Sequence, residues 1–417
     1  MTKKFFIIAG EASGDLLGSK LIKELKLQEQ GAEFIGIGGK LMQEQGLISI
    51  FPMEELSVMG FFEVVPHLAK ILRRIKQTAD LIIGEKPDFL ITIDSPDFCF
   101  RVVKKLQSLV TKKSTRSEQS ERMRDLPLSS YLGGEGDGGL RRCIGPKKIH
   151  LIAPSVWAYR PKRAEKISKL YDLLLAILPF EPPYFEKYGL KTIFIGNPII
   201  ENAPDFSEKK SENLRFRKKY SIAENDVLIC VTPGSRSGEV KKIFPEFIGA
   251  INLLSQKIPN LKIVIPLTDK TRDLVLEMAQ ELKVEYFLIE KDEKNSALFA
   301  TDFALAKSGT NTLEFSLYHI PMLIAYKINF LTHFIVKRMV KIKFANLINL
   351  ILNKELIPEM LQKNCEAEKI ATLLEKLILD KNFAEKQISE SAAALKLMGL
   401  GSVINPSKKA AQEILKL

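Results

Sequence analysis

Short apolar runs recur along the chain at intervals that leave room for a helix between most of them. In the first half they cover residues 5–9, 34–37, 89–93, 149–152, 173–177 and 192–195. In the second half they cover 227–231, 262–265, 286–289, 303–306 and 322–325. Runs that are apolar nearly throughout, without alternation, suit strands covered on both faces. With helical patterns between them, they predict an α/β chain of two Rossmann-like, doubly wound parallel sheets. Pro198, Pro204 and a Lys-rich polar stretch interrupt the pattern over 198–222, which predicts a boundary there. Residues 1–200 would form one domain and 201–417 the other, with the last helices able to cross back onto the first. Ligands of such sheets bind beyond the C-terminal ends of the strands, so two facing sheets imply a cleft.

Three stretches depart from this order. Residues 111–142 carry dense charge and then Gly-Gly-Glu-Gly-Asp-Gly-Gly, the composition of a flexible surface insertion. Over 60–78, Phe61, Val64, Val65, Leu68, Leu72 and Ile75 recur at helical spacing beside Lys70, Arg73, Arg74 and Lys76. Over 329–353, Phe330, Phe334, Ile335, Met339 and Ile342 alternate with Lys337, Arg338, Lys341 and Lys343. Each basic amphipathic stretch fits either a helix lying on an anionic membrane or a core-facing helix with a solvated outer face.

Charge narrows the partner. A net charge of +12 over 417 residues calls for something anionic. No RNA-recognition signature, zinc-finger spacing or Arg-rich arm is present, so nucleic acid is not expected. Cys99, Cys143, Cys230 and Cys365 are far apart and the four histidines are scattered. Neither a disulfide framework, a metal site nor a cofactor is predicted. The apolar run after Met1 is too short for a secretory core, and nothing approaches about 18 consecutive apolar residues. A cytoplasmic protein that touches a membrane only at its surface is expected.

The chemistry-bearing residues sit where the predicted strands end. In 302–318, DFALAKSGTNTLEFSLY, a strand stops at Ser308-Gly309-Thr310 and a helical pattern follows. Such a turn aims backbone N–H groups and a helix dipole at the space beyond the strand. Ser308, Thr310 and Thr312 add hydroxyls, Gly309 allows close approach, and Glu314 could accept from a ribose diol. PGSRSGEV, residues 233–240, also follows a strand; Ser235 lies in its turn and Arg236 is a forked donor for phosphate oxygens. Two such loops in one half-chain predict a nucleotide-diphosphate seat. In 7–21, IIAGEASGDLLGSKL, Glu11, Ser13 and Asp15 follow the first strand. Two acidic groups would repel a pyrophosphate, so this turn should face a sugar hydroxyl or another neutral polar group. ITIDSPDF, residues 91–98, sets Asp94 and Asp97 at the end of a buried strand. A carboxylate held there could take a proton from an attacking hydroxyl, or the pair could simply close the strand as an Asx turn.

Taken in order, AGEASGD (9–15), MEELSVMGFFEV (53–64), IDSPDF (93–98), PSVWAYRPKR (154–163), LPFEPPYFEKYG (178–189), FIGNP (194–198), PGSRSGEV (233–240) and SGTNTLE (308–314) resemble the lipid-A-disaccharide synthases over nearly the whole chain. The resemblance implies the two-domain glycosyltransferase-B fold and a metal-independent inverting transfer. Its donor would be UDP-2,3-diacylglucosamine and its acceptor 2,3-diacylglucosamine 1-phosphate (lipid X). It implies Asp97 as general base, Arg236 as phosphate contact, and Ser308, Thr310 and Glu314 in the UDP site. Asn349 falls in FANLINL (344–350), where the family usually has Ser-Leu-Pro-Asn, and would contact substrate; here Ile348 replaces the proline. Tyr159 stands where the family often has Trp, and 111–142 replaces a short link. Anionic lipid substrates imply a peripheral position on the inner face of the inner membrane, with contacts around 58–76. A homodimer is compatible with the apolar C-terminal helices. The rivals are another enzyme of this fold, such as a UDP-N-acetylglucosamine 2-epimerase, and a non-catalytic nucleotide-sugar or lipid-binding protein.

Overall fold

The computed structural model describes residues 2–56, 64–122, 145–309, 311–327 and 342–417, with backbone alone at 64–68 and 111–122. Two parallel sheets form. The first comprises β1 (Lys4–Ala9), β2 (Glu33–Ile37), β3 (Ile48–Ser49), β4 (Phe89–Ile93), β5 (Lys147–Leu151), β6 (Leu173–Ala176) and β7 (Thr192–Phe194). Their spatial order is β3-β2-β1-β4-β5-β6-β7. The second comprises β8 (Val227–Thr232), β9 (Leu261–Pro266), β10 (Tyr286–Ile289), β11 (Phe303–Lys307), β12 (Met322–Tyr326) and β13 (Glu359–Leu361), in the order β10-β9-β8-β11-β12-β13. Each predicted strand is present, with ends moved by a residue or two. β3 and β13 went unpredicted because edge strands of two or three residues carry no periodicity.

Both sheets are doubly wound. In the first the chain moves outward from β1 to β2 and β3, then returns to β1's other edge as β4; β8 and β11 repeat this in the second. The order reverses between β1 and β4 and again between β8 and β11, where ligands of such sheets bind. The first switch point is braced by aromatic packing. Phe5 of β1 stacks on Phe34 and Phe89, its neighbours on β2 and β4, with centroid separations of 5.2 and 5.0 Å. Residues 5–9 are fully buried, as a strand covered on both faces must be.

The chain forms two compact units. One holds Met1–Val156, Arg160–Pro198 and Ile404–Leu417; the other holds Trp157–Tyr159 and Ile199–Val403. The helix Pro406–Leu415 packs on Ala12–Gln28 and places Ala410, Ala411 and Ile414 in the first unit's core. One expectation needs correcting. The helix Pro96–Arg122 runs through residues 111–122, which the sequence had assigned to a flexible insertion. Dense charge alone does not mark a loop, because Lys, Glu and Arg are also good helix formers. Residues 123–142 lie outside the described residues.

Because Ile414 is fully buried in the first unit, Ile414→Ala should cost that unit about 2–5 kcal/mol. Thermal unfolding followed by limited proteolysis should show residues 1–198 becoming labile before 199–403.

Candidate functional site

Four loops leave the two switch points, and they carry most of the chemistry-bearing motifs. In the first unit, the turns after β1 and β4 meet at Gly10. A Cβ there would lie 2.2 Å from Ser95 Oγ, so only glycine allows this approach. Asp94 and Ser95 hold φ of 50° and 43°, a left-handed geometry that costs non-glycine residues on the order of 1–3 kcal/mol each. The turn is fixed by Asp94 N–H donating to Leu151 O at 3.1 Å and Cys99 N–H donating to Ser95 O at 3.1 Å.

This turn gives its two carboxylates different environments. Asp94 is half-buried, and desolvation raises its pKa against a backbone hydrogen bond from Ser95. Asp97, in the first turn of the next helix, is 84% exposed, and its Oδ1 accepts from Arg163 Nη2 at 2.6 Å. Arg163 also lies 5.4 Å from the Phe100 ring centroid, one turn along the same helix from Asp97. Phe100 packs edge-on against His150 and Tyr171. Thr92 Oγ1 lies 2.7 Å from His150 Nδ1 and 3.1 Å from Tyr171 Oη. Burial lowers His150 to about 3, so this layer is neutral near pH 7. Glu11 is half-buried just before the helix Ala12–Gln28, and Ser13 is exposed in its first turn.

Asp15 requires a correction. It is buried, and its carboxylate accepts from the backbone N–H groups of Gly39 (2.8 Å), Leu41 (3.1 Å) and Met42 (3.1 Å). It caps the short helix Lys40–Glu44, and three of its roughly four acceptor sites go to the fold.

In the second unit, β8 and β11 are adjacent, with Ala306 opposite Thr232, so the loops after them lie side by side. Gly234 has φ of 131°, and a Cβ on it would sit 3.0 Å from Glu239 Oε2. Ser235 and Arg236 follow, exposed, at the start of the helix Ser237–Leu254. Arg236 Nη1 lies 3.6 Å from Glu239 Oε1, and Lys307 Nζ lies 3.1 Å from the same oxygen. Ser308 Oγ donates to Ala345 O at 3.0 Å, and Gly309 is exposed. Glu314 is half-buried and accepts from Lys294 Nζ at 2.5 Å. Thr310 lies outside the described residues. Thr312 is buried and donates back to Gly309 O at 2.7 Å, closing the turn instead of offering a ligand donor.

Asn349 is likewise corrected. It is fully buried, its Nδ2 donates to Ile357 O (2.7 Å) and Glu359 Oε1 (2.9 Å), and its Oδ1 accepts from the N–H groups of Leu356 and Ile357 (both 2.9 Å). Those four bonds exhaust the amide. Glu359 also accepts from Ala345 and Asn346 N–H, at 2.8 Å each. This buried knot thus fixes the Ala345 segment that receives Ser308. Glu239, Lys307 and Arg163 lie inside quoted motifs and Lys294 outside them, but none was legible as a site residue, because each depends on a partner distant in sequence or on another element.

Among the described residues no cluster of His, Cys, Asp or Glu could hold a metal ion, and no helix is long and apolar enough to cross a membrane. Of the basic flank over 60–78, Lys70 and Arg74 pair with Glu55 at 3.3 and 2.8 Å, whereas Leu72, Arg73 and Lys76 are exposed. Residues 57–63 and 328–341, parts of the two amphipathic stretches, lie outside the described residues.

The family model for lipid-A-disaccharide synthetase matches residues 5–115 and 140–414. The gap falls inside the charged stretch set apart above. Proteins named lipid-A-disaccharide synthase from Rickettsia bellii and Rhodospirillum centenum are 41% and 36% identical, each over 99% of this chain and over 100% and 94% of their own lengths. Among solved structures, the fold is similar to a Staphylococcus aureus MnaA–UDP complex and a Neisseria meningitidis UDP-GlcNAc 2-epimerase bound to UDP-GlcNAc. Both have TM-scores of 0.59 at 15% identity, over 99% of this chain and 95% and 100% of theirs. Acinetobacter baumannii MurG follows with a TM-score of 0.52 at 10% identity, over all of both chains.

Asn349→Ala would strand two backbone donors and part of Glu359. The variant should lose at least about 2 kcal/mol of stability, read as an earlier unfolding midpoint without ligand. A substrate-contact role would instead leave that midpoint unmoved.

Proposed function

The chain belongs to the lipid-A-disaccharide synthase family, and from that membership we propose that Asp97 is the general base of its sugar transfer and the β8 and β11 loops hold the leaving diphosphate. The family's role is lipid A disaccharide synthesis, a glycosyltransferase reaction that takes a UDP-sugar. The epimerase alternative is not favoured, since likeness at 15% identity shows the fold alone.

The donor in this reading is UDP-2,3-diacylglucosamine and the acceptor is lipid X. Asp97 takes the proton of the acceptor 6-hydroxyl. The resulting oxygen bonds to the anomeric carbon as that carbon's bond to the diphosphate breaks, with inversion, giving the β-1,6-linked disaccharide 1-phosphate and UDP. The observation that carries the reading is placement: the Asp97 turn and the Arg236 loop each leave a switch point at strand C-terminal ends. The geometry of Asp97 supports the role. Arg163 engages Oδ1, and Oδ2 accepts no hydrogen bond among the described residues, so one oxygen is anchored while the other can receive a proton. Arg236 stabilises charge developing on the departing phosphate, and Glu314 accepts from the ribose. Glu11 and Ser13 face the acceptor sugar. Exposed Leu72 beside Arg73 and Lys76 supports contact with an anionic inner-membrane face.

Two variants test this in a thin-layer assay with both lipid substrates, alongside titration with UDP. Asp97→Ala should lose about 10²–10⁴-fold in turnover while keeping its affinity for UDP; unchanged turnover would sink the assignment. Arg236→Ala should weaken UDP binding and turnover together.

A further inference from the structure

The acidic side chain at the proposed diphosphate seat is the observation to explain. Glu239 is 14% exposed and lies in the first turn of the helix that follows the Arg236 loop. A carboxylate there would repel phosphate unless cations outnumber it, and they do. Lys307 and Arg236 both reach its Oε1, so the cluster carries one surplus positive charge. Lys307 is the last residue of β11, and its side chain is 19% exposed. Its Nζ lies 5.3 Å from the Tyr326 ring centroid and 3.8 Å from where a Cβ on Gly309 would sit. The ammonium therefore stands beside the Ser308–Gly309 turn while paired to a carboxylate that borders Gly234. It bridges the two loops.

We propose that Lys307 is a second diphosphate-binding cation, held on Glu239 between the β8 and β11 loops until a nucleoside diphosphate takes it over; this rests on the nucleotide reading above. A lysine suits the task because its compact charge rides on a flexible four-carbon stem with three rotatable donors. Exchange of Glu239 Oε1 for a phosphate oxygen needs only a swing of that stem, because the ammonium already stands beside the Ser308–Gly309 turn. Glu239 keeps Arg236 as partner when Lys307 leaves. The carboxylate thus positions two cations in the empty site and yields one when the anion arrives. Recognition is directed at the diphosphate, so the nucleoside should be insensitive to it.

Calorimetric titration of full-length protein with UDP and with uridine tests the idea. Lys307→Gln should bind UDP about tenfold more weakly or worse and uridine as the wild type does, and Lys307→Arg should restore most of the UDP affinity. Lys307→Gln with wild-type UDP affinity would overturn the inference alone, leaving the nucleotide reading intact if Arg236→Ala is weakened. Equal losses for UDP and uridine would make Lys307 a structural residue and overturn it too. Failure of the wild type to bind UDP at all would overturn the nucleotide reading and this inference together.

Discussion

Parallel register at the two switch points is the constraint from which the rest follows. Because β4 pairs with β1 and β11 with β8 in parallel, loops far apart in sequence leave each sheet at the same end and side by side. The register is held by buried apolar strands and, in the first sheet, by the stacked rings of Phe34, Phe5 and Phe89. A slip of one residue would turn every strand side chain to the other face, and with it the aim of each loop. The sites are therefore consequences of strand pairing.

The two units solve different electrostatic problems with the same scaffold. The first holds carboxylates over a neutral layer of Thr92, His150, Tyr171 and Phe100, in which burial keeps the imidazole uncharged. Arg163 bridges layer and carboxylate by stacking on Phe100 while pairing with Asp97. The second unit concentrates positive charge and tempers it with Glu239, which keeps Arg236 and Lys307 close without leaving them to repel one another.

Buried polar side chains account for the corrections. Asp15 and Asn349 look in sequence like ligand groups, yet both complete the hydrogen bonding of backbone that would otherwise be stranded. The penalty for an unpaired buried N–H is about 1–3 kcal/mol, enough to claim a carboxylate or an amide for the fold. Their neighbours remain exposed or half-buried: Ser13 and Glu11 beside Asp15, and Ser308, tied to the segment that Asn349 fixes.

The sequence alone determined the layered architecture, since apolar runs long enough to cross a sheet can be buried only as strands between helices. It also marked candidate loops, because Gly, Ser and charged residues gather where those runs stop. The order of the motifs determined the family. Tertiary structure alone decided which polar residues are spent on the fold and which charges act together. Lys307 and Glu239 are 68 positions apart, and only the pairing of β8 with β11 makes them neighbours. Spacing along a chain carries information about residues within a few turns of one another. Salt bridges between loops depend instead on which strands lie side by side, a property that no local pattern encodes.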